Sequence, residues 1–384
     1  MSKIASVKAH PIVVELKTRY WTAHEGIATW SVIIVEVQTD DGVIGYGEIH
    51  GSPQKGICTW VERLGEYIKG MDANAHLPVW EKMFGVTHPR RNGIMDQDGM
   101  PPPPARSEFP QVLGALGGID IALWDIKGKL AGLPVYKLLG AENRPILSYS
   151  TGGYYREGAP DNHCAEEMAG FIAKGYKAVK LKTGAGPLDV EIGRIKATRE
   201  AIGKDNLLML DVSGAFSVHE AIRFAQGAEP YDITWFEEPL HWYCQPADYL
   251  QLAEATTIPI AHGERLTNRF TCRDFITSGG IGYIQFDATR FCGFTESIRV
   301  AELANQLNVK IAPHHAPEIH SHLVAAYPEH GFGCESHGDP ERDPTFYHLF
   351  SERAQIKDGY VHMNDKPGFG IEIDRKFMER YKAK

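Results

Sequence analysis

Two lysines one residue apart, Lys180 and Lys182, close an apolar run that begins at Ala178. In a β-strand, residues two apart face the same side, so both side chains project together. Two ammonium groups held side by side repel, and partial burial further disfavours the charged form, so at least one pKa is expected to fall. A lysine tuned in this way serves as a general base near neutral pH. Four further apolar runs each end in an acid: Leu207-Leu208-Met209-Leu210-Asp211, Trp235-Phe236-Glu237, Ile260-Ala261-His262-Gly263-Glu264 and Ile284-Gln285-Phe286-Asp287. A base beside a row of carboxylates is the equipment of metal-assisted proton abstraction.

These runs belong to a larger rhythm. Beyond Pro145 a strand–helix alternation recurs about every 25 to 30 residues, the spacing of a parallel barrel with helices outside. The predicted strands are 146–150, 178–182, 207–211, 233–237, 259–264, 283–287, 310–314 and 331–335, with helices such as 189–202 and 294–307 between them. The second to the seventh of these strands each end in an ionisable residue: Lys182, Asp211, Glu237, Glu264, Asp287 and His314. In such a barrel the C-terminal strand ends share one mouth, where the chemistry is placed. A single strand-end acid has an ordinary structural explanation, and the lysines alone read as a solvated strand edge. The whole series does not, because each member would be a buried charge needing a partner.

The flanking segments read differently. Residues 12–16, 30–37 and 43–48 are strand-like, with a tight turn at Asp40-Asp41-Gly42, and predict a small antiparallel sheet. The loop predicted at 19–26 carries Tyr20, Trp21 and His24, which are candidates for a lid that touches substrate. From about 53 to 139 the pattern is helical, with Trp60, Leu64, Tyr67 and Ile68 at helix spacing, and again Leu116, Ile119, Leu123 and Ile126. A long loop between these helices offers Arg90 as another candidate, and Tyr154, following the first barrel strand, is a third. The tail beyond Gly359 drops the rhythm. The expected organisation is an α+β domain over 1–140, a barrel over 141–350, and a return of 351–384 to the first domain.

Composition narrows the classes of function. A net charge of 40 − 49 = −9 with no basic run argues against nucleic acid as a partner. No apolar run approaches the roughly 20 residues needed to span a bilayer. The first residues lack the apolar core of a signal peptide, and the six cysteines have no close pairs, so a reducing cytoplasm is expected.

The sequence resembles the enolase superfamily, specifically its mandelate racemase-like subgroup, over essentially the whole chain. The matching motifs are Lys180-x-Lys182, Asp211, Glu237-Glu238-Pro239, Gly263-Glu264, Asp287-x-x-Arg290-x-x-Gly293 and His314. The helix Gly118-Ile119-Asp120-Ile121-Ala122-Leu123-Trp124-Asp125 and the tail Pro367-Gly368-Phe369-Gly370 match as well. The resemblance implies an α+β capping domain over a modified TIM barrel, (β/α)7β, with one Mg²⁺ per active site held by Asp211, Glu237 and Glu264. It implies abstraction of the proton α to a carboxylate, giving an enediolate. Lys182 would be the base on one face, with Lys180 neutralising the substrate carboxylate. His314, oriented by Asp287, would serve the other face, and Glu335 would hydrogen-bond the substrate carboxylate. Two positions depart from the pattern or complicate it: Ser213 stands where the family commonly has Asn, and His315 follows His314 directly. The downstream Glu318-Ile319-x-x-His322-Leu323 aligns with the family pattern when His314, rather than His315, is the dyad member.

A base on each face leads to dehydration of an acid sugar, an aldonate or aldarate, to a 2-keto-3-deoxy acid. The same site serves a racemase or epimerase of a 2-hydroxy or amino acid, or a lactone cycloisomerase. A barrel that only binds its ligand is the competing reading of another class. A homo-oligomer is expected from the resemblance.

Overall fold

The computed structural model describes residues 2–88 and 99–383. Three antiparallel strands, β1 (Ile4–Trp21), β2 (Gly26–Thr39) and β3 (Ile44–Ile49), open the chain. Four helices follow: α1 (Gln54–Ile68), α2 (His76–Phe84), α3 (Phe109–Ala131) and α4 (Val135–Leu138). α1 buries Ile57, Trp60, Val61, Leu64 and Ile68, one helical stripe, in a core shared with β2 and α3. β3 meets α3 backbone to backbone: a Cβ on Gly47 would stand 1.9 Å from the Gly118 carbonyl oxygen. Only glycine admits that approach.

The predicted loop at 19–26 is shorter than expected. β1 runs on to Trp21, Tyr20 pairs with Ile27, and only Thr22 to Glu25 turn, closed by the Thr22 amide on the Glu25 carbonyl at 2.9 Å. The exposed polar residues of β1 hid its length from a hydrophobicity pattern.

The second unit alternates strictly. Its strands are β4 (Ile146–Gly152), β5 (Ala178–Lys182), β6 (Leu207–Asp211), β7 (Ile233–Glu237), β8 (Ile260–His262), β9 (Tyr283–Ile284), β10 (Lys310–Ile311) and β11 (Cys334–Ser336). Between them lie α5 (His163–Ala173), α6 (Leu188–Ile202), α7 (Val218–Ala228), α8 (Pro246–Ala253), α9 (Arg269–Ser278), α10 (Gly293–Gln306) and α11 (Pro317–Ala325). The strands pair in parallel in chain order from β4 to β10, and β11 pairs with β4. A parallel bridge between Ile311 and Gly331 brings the approach to β11 against β10. The unit is a TIM-barrel-like (β/α)7β sheet.

Alternation sets what each strand offers. Ala178, Met209 and Trp235 join Tyr149, Ala261, Tyr283 and Ala312 in an apolar cluster on the inner face, while Val179 and Leu181 pack outward with the helices. The next inward positions, two residues on, are Lys180, Asp211 and Glu237. The last strands are shorter than predicted. Gly263, at φ 137°, leads the chain out of β8, and pairing continues only as single bonds, such as the His314 amide to the Phe286 carbonyl at 3.1 Å. Glu264, Asp287 and His314 therefore stand just past the ladder, on loops rather than in strands.

The tail adds β12 (Phe350–Glu352), β13 (Gln355–Lys357), β14 (Tyr360–His362), β15 (Glu372–Ile373) and α12 (Arg375–Arg380). The hairpin of β13 and β14 pairs antiparallel onto β4. Farther on, Gly368 bonds to Leu133 and Val135, and the Ala383 amide bonds to Pro11 at 2.8 Å. All six cysteines are free, and no described helix is long and apolar enough to cross a membrane.

Candidate active site

Strand register sets the first half of the site. Lys182 lies beside Asp211, and Asp211 beside Glu237, on adjacent parallel strands. The Lys180 ammonium is fully buried, bonded to Glu237, 2.9 Å from Glu335 and 3.5 Å from Asp211. The Lys182 ammonium bonds to Asp211 and lies 3.3 Å from the Ser213 hydroxyl. The expected fall in a lysine pKa is not what this arrangement gives. Burial alone lowers both lysines, but Glu237 and Glu335 outweigh it at Lys180 and Asp211 outweighs it at Lys182, so both are raised. Like-charge repulsion from Lys180 is a smaller effect at Lys182 than the pull of Asp211.

Asp211, Glu237 and Glu264 present one oxygen each within 4.8 Å of one another. Their other contacts are those of oriented ligands: the second oxygen of Glu237 accepts from Trp235 Nε1 at 2.9 Å and Gln285 Nε2 at 2.7 Å. Asp211 accepts from the amide of Ser213 at 2.8 Å and from its hydroxyl at 3.2 Å. Ser213 thus supplies a hydrogen bond at the position where the family pattern has Asn. Asp211, Glu237 and Glu335 face the two ammonium groups, while Glu264 has Arg265 and Arg290 each at 3.6 Å. An all-oxygen, carboxylate-rich donor set suits a hard ion such as Mg²⁺.

The opposite wall carries Asp287 and His314. His314 Nδ1 donates to Asp287 Oδ2 at 2.8 Å, and the other oxygen accepts from the Thr289 amide at 2.9 Å and hydroxyl at 2.6 Å. Burial pushes Asp287 up, but His314 and Arg290 override it and hold the carboxyl far below its ordinary range. His314 Nε2 then faces inward, 3.3 Å from Glu264 and 3.9 Å from Glu335. His315 also lines the cavity and bonds to Asp343 at 3.1 Å rather than to Asp287.

Lys182, Glu264, His314 and Glu335 line one cavity of about 580 Å³ beneath the antiparallel sheet. Tyr154 lines it too, its ring 5.8 Å from the Lys182 ammonium. Tyr20, Trp21 and His24 are not among the lining residues. Tyr20 is buried 4.6 Å behind Tyr154, Trp21 pairs with Tyr155, and His24 rests edge-on against Trp242. Arg90 lies outside the described residues. The lining residues that sequence reasoning missed include Thr22, Glu25, Trp30, His50, Arg265 and His337. His50 and His337 each directly follow the end of a strand in the structure, but the strands predicted from sequence stop two residues before them.

Fold and site together define a barrel enzyme architecture with a carboxylate triad between two opposed proton carriers. Residues 163–377 match the family description "Enolase C-terminal domain-like", and residues 6–140 match "Mandelate racemase / muconate lactonizing enzyme, N-terminal domain". The chain belongs to this family, the mandelate racemase-like subgroup of the enolase superfamily. It is 29% identical over 365 residues to the arabinonate dehydratase of Saccharolobus solfataricus, covering 92% of this chain and 91% of that one. It is 30% identical to the D-galactarolactone cycloisomerase of Agrobacterium fabrum, covering 99% of both. Among solved structures it is similar to the L-talarate/galactarate dehydratase of Salmonella typhimurium LT2 liganded with Mg and L-lyxarohydroxamate. That match has TM-score 0.86 and 28% identity, and covers 100% of this chain and 93% of the other.

Proposed function

We propose that the protein is a hydro-lyase that dehydrates an acid sugar to a 2-keto-3-deoxy acid, with Asp211, Glu237 and Glu264 holding one Mg²⁺. The observation that carries this reading is that Lys182 and His314 line the same cavity from opposite walls, with the three carboxylates beside them. The relatives named as acid-sugar dehydratases support it.

Bound there, the cation supplies Lewis-acid stabilisation of the negative charge that develops on the substrate carboxylate. Lys180, locked among buried carboxyls, offsets the same charge, and Glu335 holds that ammonium in place at 2.9 Å. Lys182, in its neutral amine form, takes the C2 proton. As the C3–oxygen bond breaks, protonated His314 gives its Nε2 proton to the departing hydroxyl, which leaves as water. The enol that remains tautomerises to the 2-keto acid. Asp287 keeps His314 in the tautomer that points Nε2 at the substrate.

Similarity to a cycloisomerase and the two-sided arrangement favour a second reading, an isomerase acting through the same enediolate. A 2-keto-acid assay over aldonates and aldarates with Mg²⁺-loaded protein separates the two. Product that carries a 3-deoxy group supports the hydro-lyase, and an epimer or opened lactone without water loss supports the isomerase.

A further inference from the structure

His50 has no part in the chemistry above, yet it lines the same cavity from the antiparallel sheet. Its position is built with care. His50 Nε2 stands 2.6 Å from Glu48 Oε1, and Glu48 in turn hydrogen-bonds Glu318 on α11. All three residues are buried. Burial, with His315 next, keeps the His50 imidazole neutral, well below the usual histidine range. Burial pushes both carboxyls up, Glu318 far up and Glu48 to about 7. A carboxylate accepting at Nε2 fixes the tautomer: Nε2 bears the hydrogen and Nδ1 keeps its lone pair. Among the described residues, the His50 side chain is hydrogen-bonded only through Nε2, to Glu48.

The surroundings say what that lone pair reads. His50 packs against His315 at 4.5 Å between ring centroids, and His315 lies 6.0 Å from His314, so His50 stands one imidazole removed from the reacting centre. The charged groups facing it are His315, Asp287, Arg290 and Asp343, besides Glu48. Among the described residues, His315 is matched by Asp343, and Arg290 by Asp287 and Glu264, so these two cations beside His50 are already paired. An acceptor lone pair beside a buried carboxylate repels a second anionic end and welcomes an O–H donor.

We infer that His50, held by Glu48, is a specificity-determining residue that accepts a hydrogen bond from a substrate hydroxyl beyond the C2–C3 unit. The substrate class is then the aldonates, with one carboxylate and a hydroxylated far end, in preference to the aldarates. This rests on the acid-sugar reading above.

The test uses hexonates turned over by the Mg²⁺-loaded enzyme, their analogues deoxygenated singly at C4, C5 or C6, and the hexarates that differ only at C6. For wild type, removal of one hydroxyl is expected to cost about tenfold to a hundredfold in kcat/KM, chiefly in KM, with the hexarate disfavoured as well. In His50→Leu that discrimination collapses. His50→Asn, whose amide oxygen can take the place of Nδ1, restores part of it, which a purely structural role does not predict. Deoxy penalties equal in wild type and His50→Leu overturn the inference, as does a His50-dependent preference for hexarates. Failure of every acid sugar to exchange its C2 proton overturns the acid-sugar reading itself, and this inference with it.

Discussion

Replacing Asp287 with Asn tests the dyad at one atom. Asp287 Oδ1 is fixed by two donors of Thr289, at 2.9 and 2.6 Å, and Oδ2 faces His314 Nδ1 at 2.8 Å. An amide at this position keeps its carbonyl on the Thr289 donors, so its NH₂ group points at His314. Nδ1 must then accept, the hydrogen moves to Nε2, and the atom facing the substrate loses its lone pair. The lost charge-assisted hydrogen bond is worth about 1.5 to 3 kcal/mol, or about tenfold to 150-fold in rate, before the tautomer change is added. The assay is C2–H exchange in D₂O, followed separately for the two C2 epimers of one acid sugar. Exchange on the His314 face is expected to fall by at least that factor, while exchange on the Lys182 face stays within about twofold. Long-range ¹H–¹⁵N spectra should report the new tautomer directly. Equal loss on both faces, or an unchanged tautomer, refutes the reasoning.

Other perturbations reach different parts of the account. Lys180→Met leaves Glu237, Glu335 and Asp211 without their buried cation and should cost about 3 to 5 kcal/mol in urea unfolding of metal-free protein; added Mg²⁺ should recover part of it. His322 is buried, with Nδ1 accepting from the Tyr136 amide and Nε2 on the Phe369 carbonyl, and burial pushes it down to about 3. Its folded value lies below the unfolded one near 6.5, so its contribution is full above about pH 6.5 and is lost as pH falls toward 3. Between pH 6.5 and 4.5 the loss should be about 2 kcal/mol, and His322→Gln should flatten the unfolding profile by that amount. Gly47→Ala drives a Cβ to 1.9 Å from a backbone oxygen of α3 and should destabilise by about 3 kcal/mol in the same assay; a neutral result contradicts the packing described for β3.

The barrel was legible because its strands repeat one local rule. An apolar inward residue is followed two positions later by a charged one, as in Ala178 and Lys180, Met209 and Asp211, Trp235 and Glu237. The carboxylate triad and the paired Asp287 and His314 follow from that rule and the family motifs. The lysine pKa direction did not follow, because adjacent ammonium groups are visible in sequence while the carboxyls across the barrel are not. Glu237 is 57 residues from Lys180 along the chain yet bonded to it. The capping wall was less legible for the same reason. Tyr20 and Trp21 looked like loop residues because the strand bearing them is half exposed and lacks clean alternation. His50 reaches the cavity only through the contact of one sheet with another unit's mouth, which no local pattern encodes.

The central claim is that one carboxylate-rich site removes the proton α to a carboxylate and expels water. Proton NMR in D₂O tests it most directly, with Mg²⁺-loaded wild type, Lys182→Ala and His314→Asn incubated with pooled acid sugars and 2-hydroxy acids. The account predicts loss of a C2–H signal and growth of a deuterated 3-deoxy signal for wild type, with neither variant forming product at a comparable rate. Exchange without elimination would replace the hydro-lyase with an isomerase, and no exchange from any member of the pool would contradict the claim.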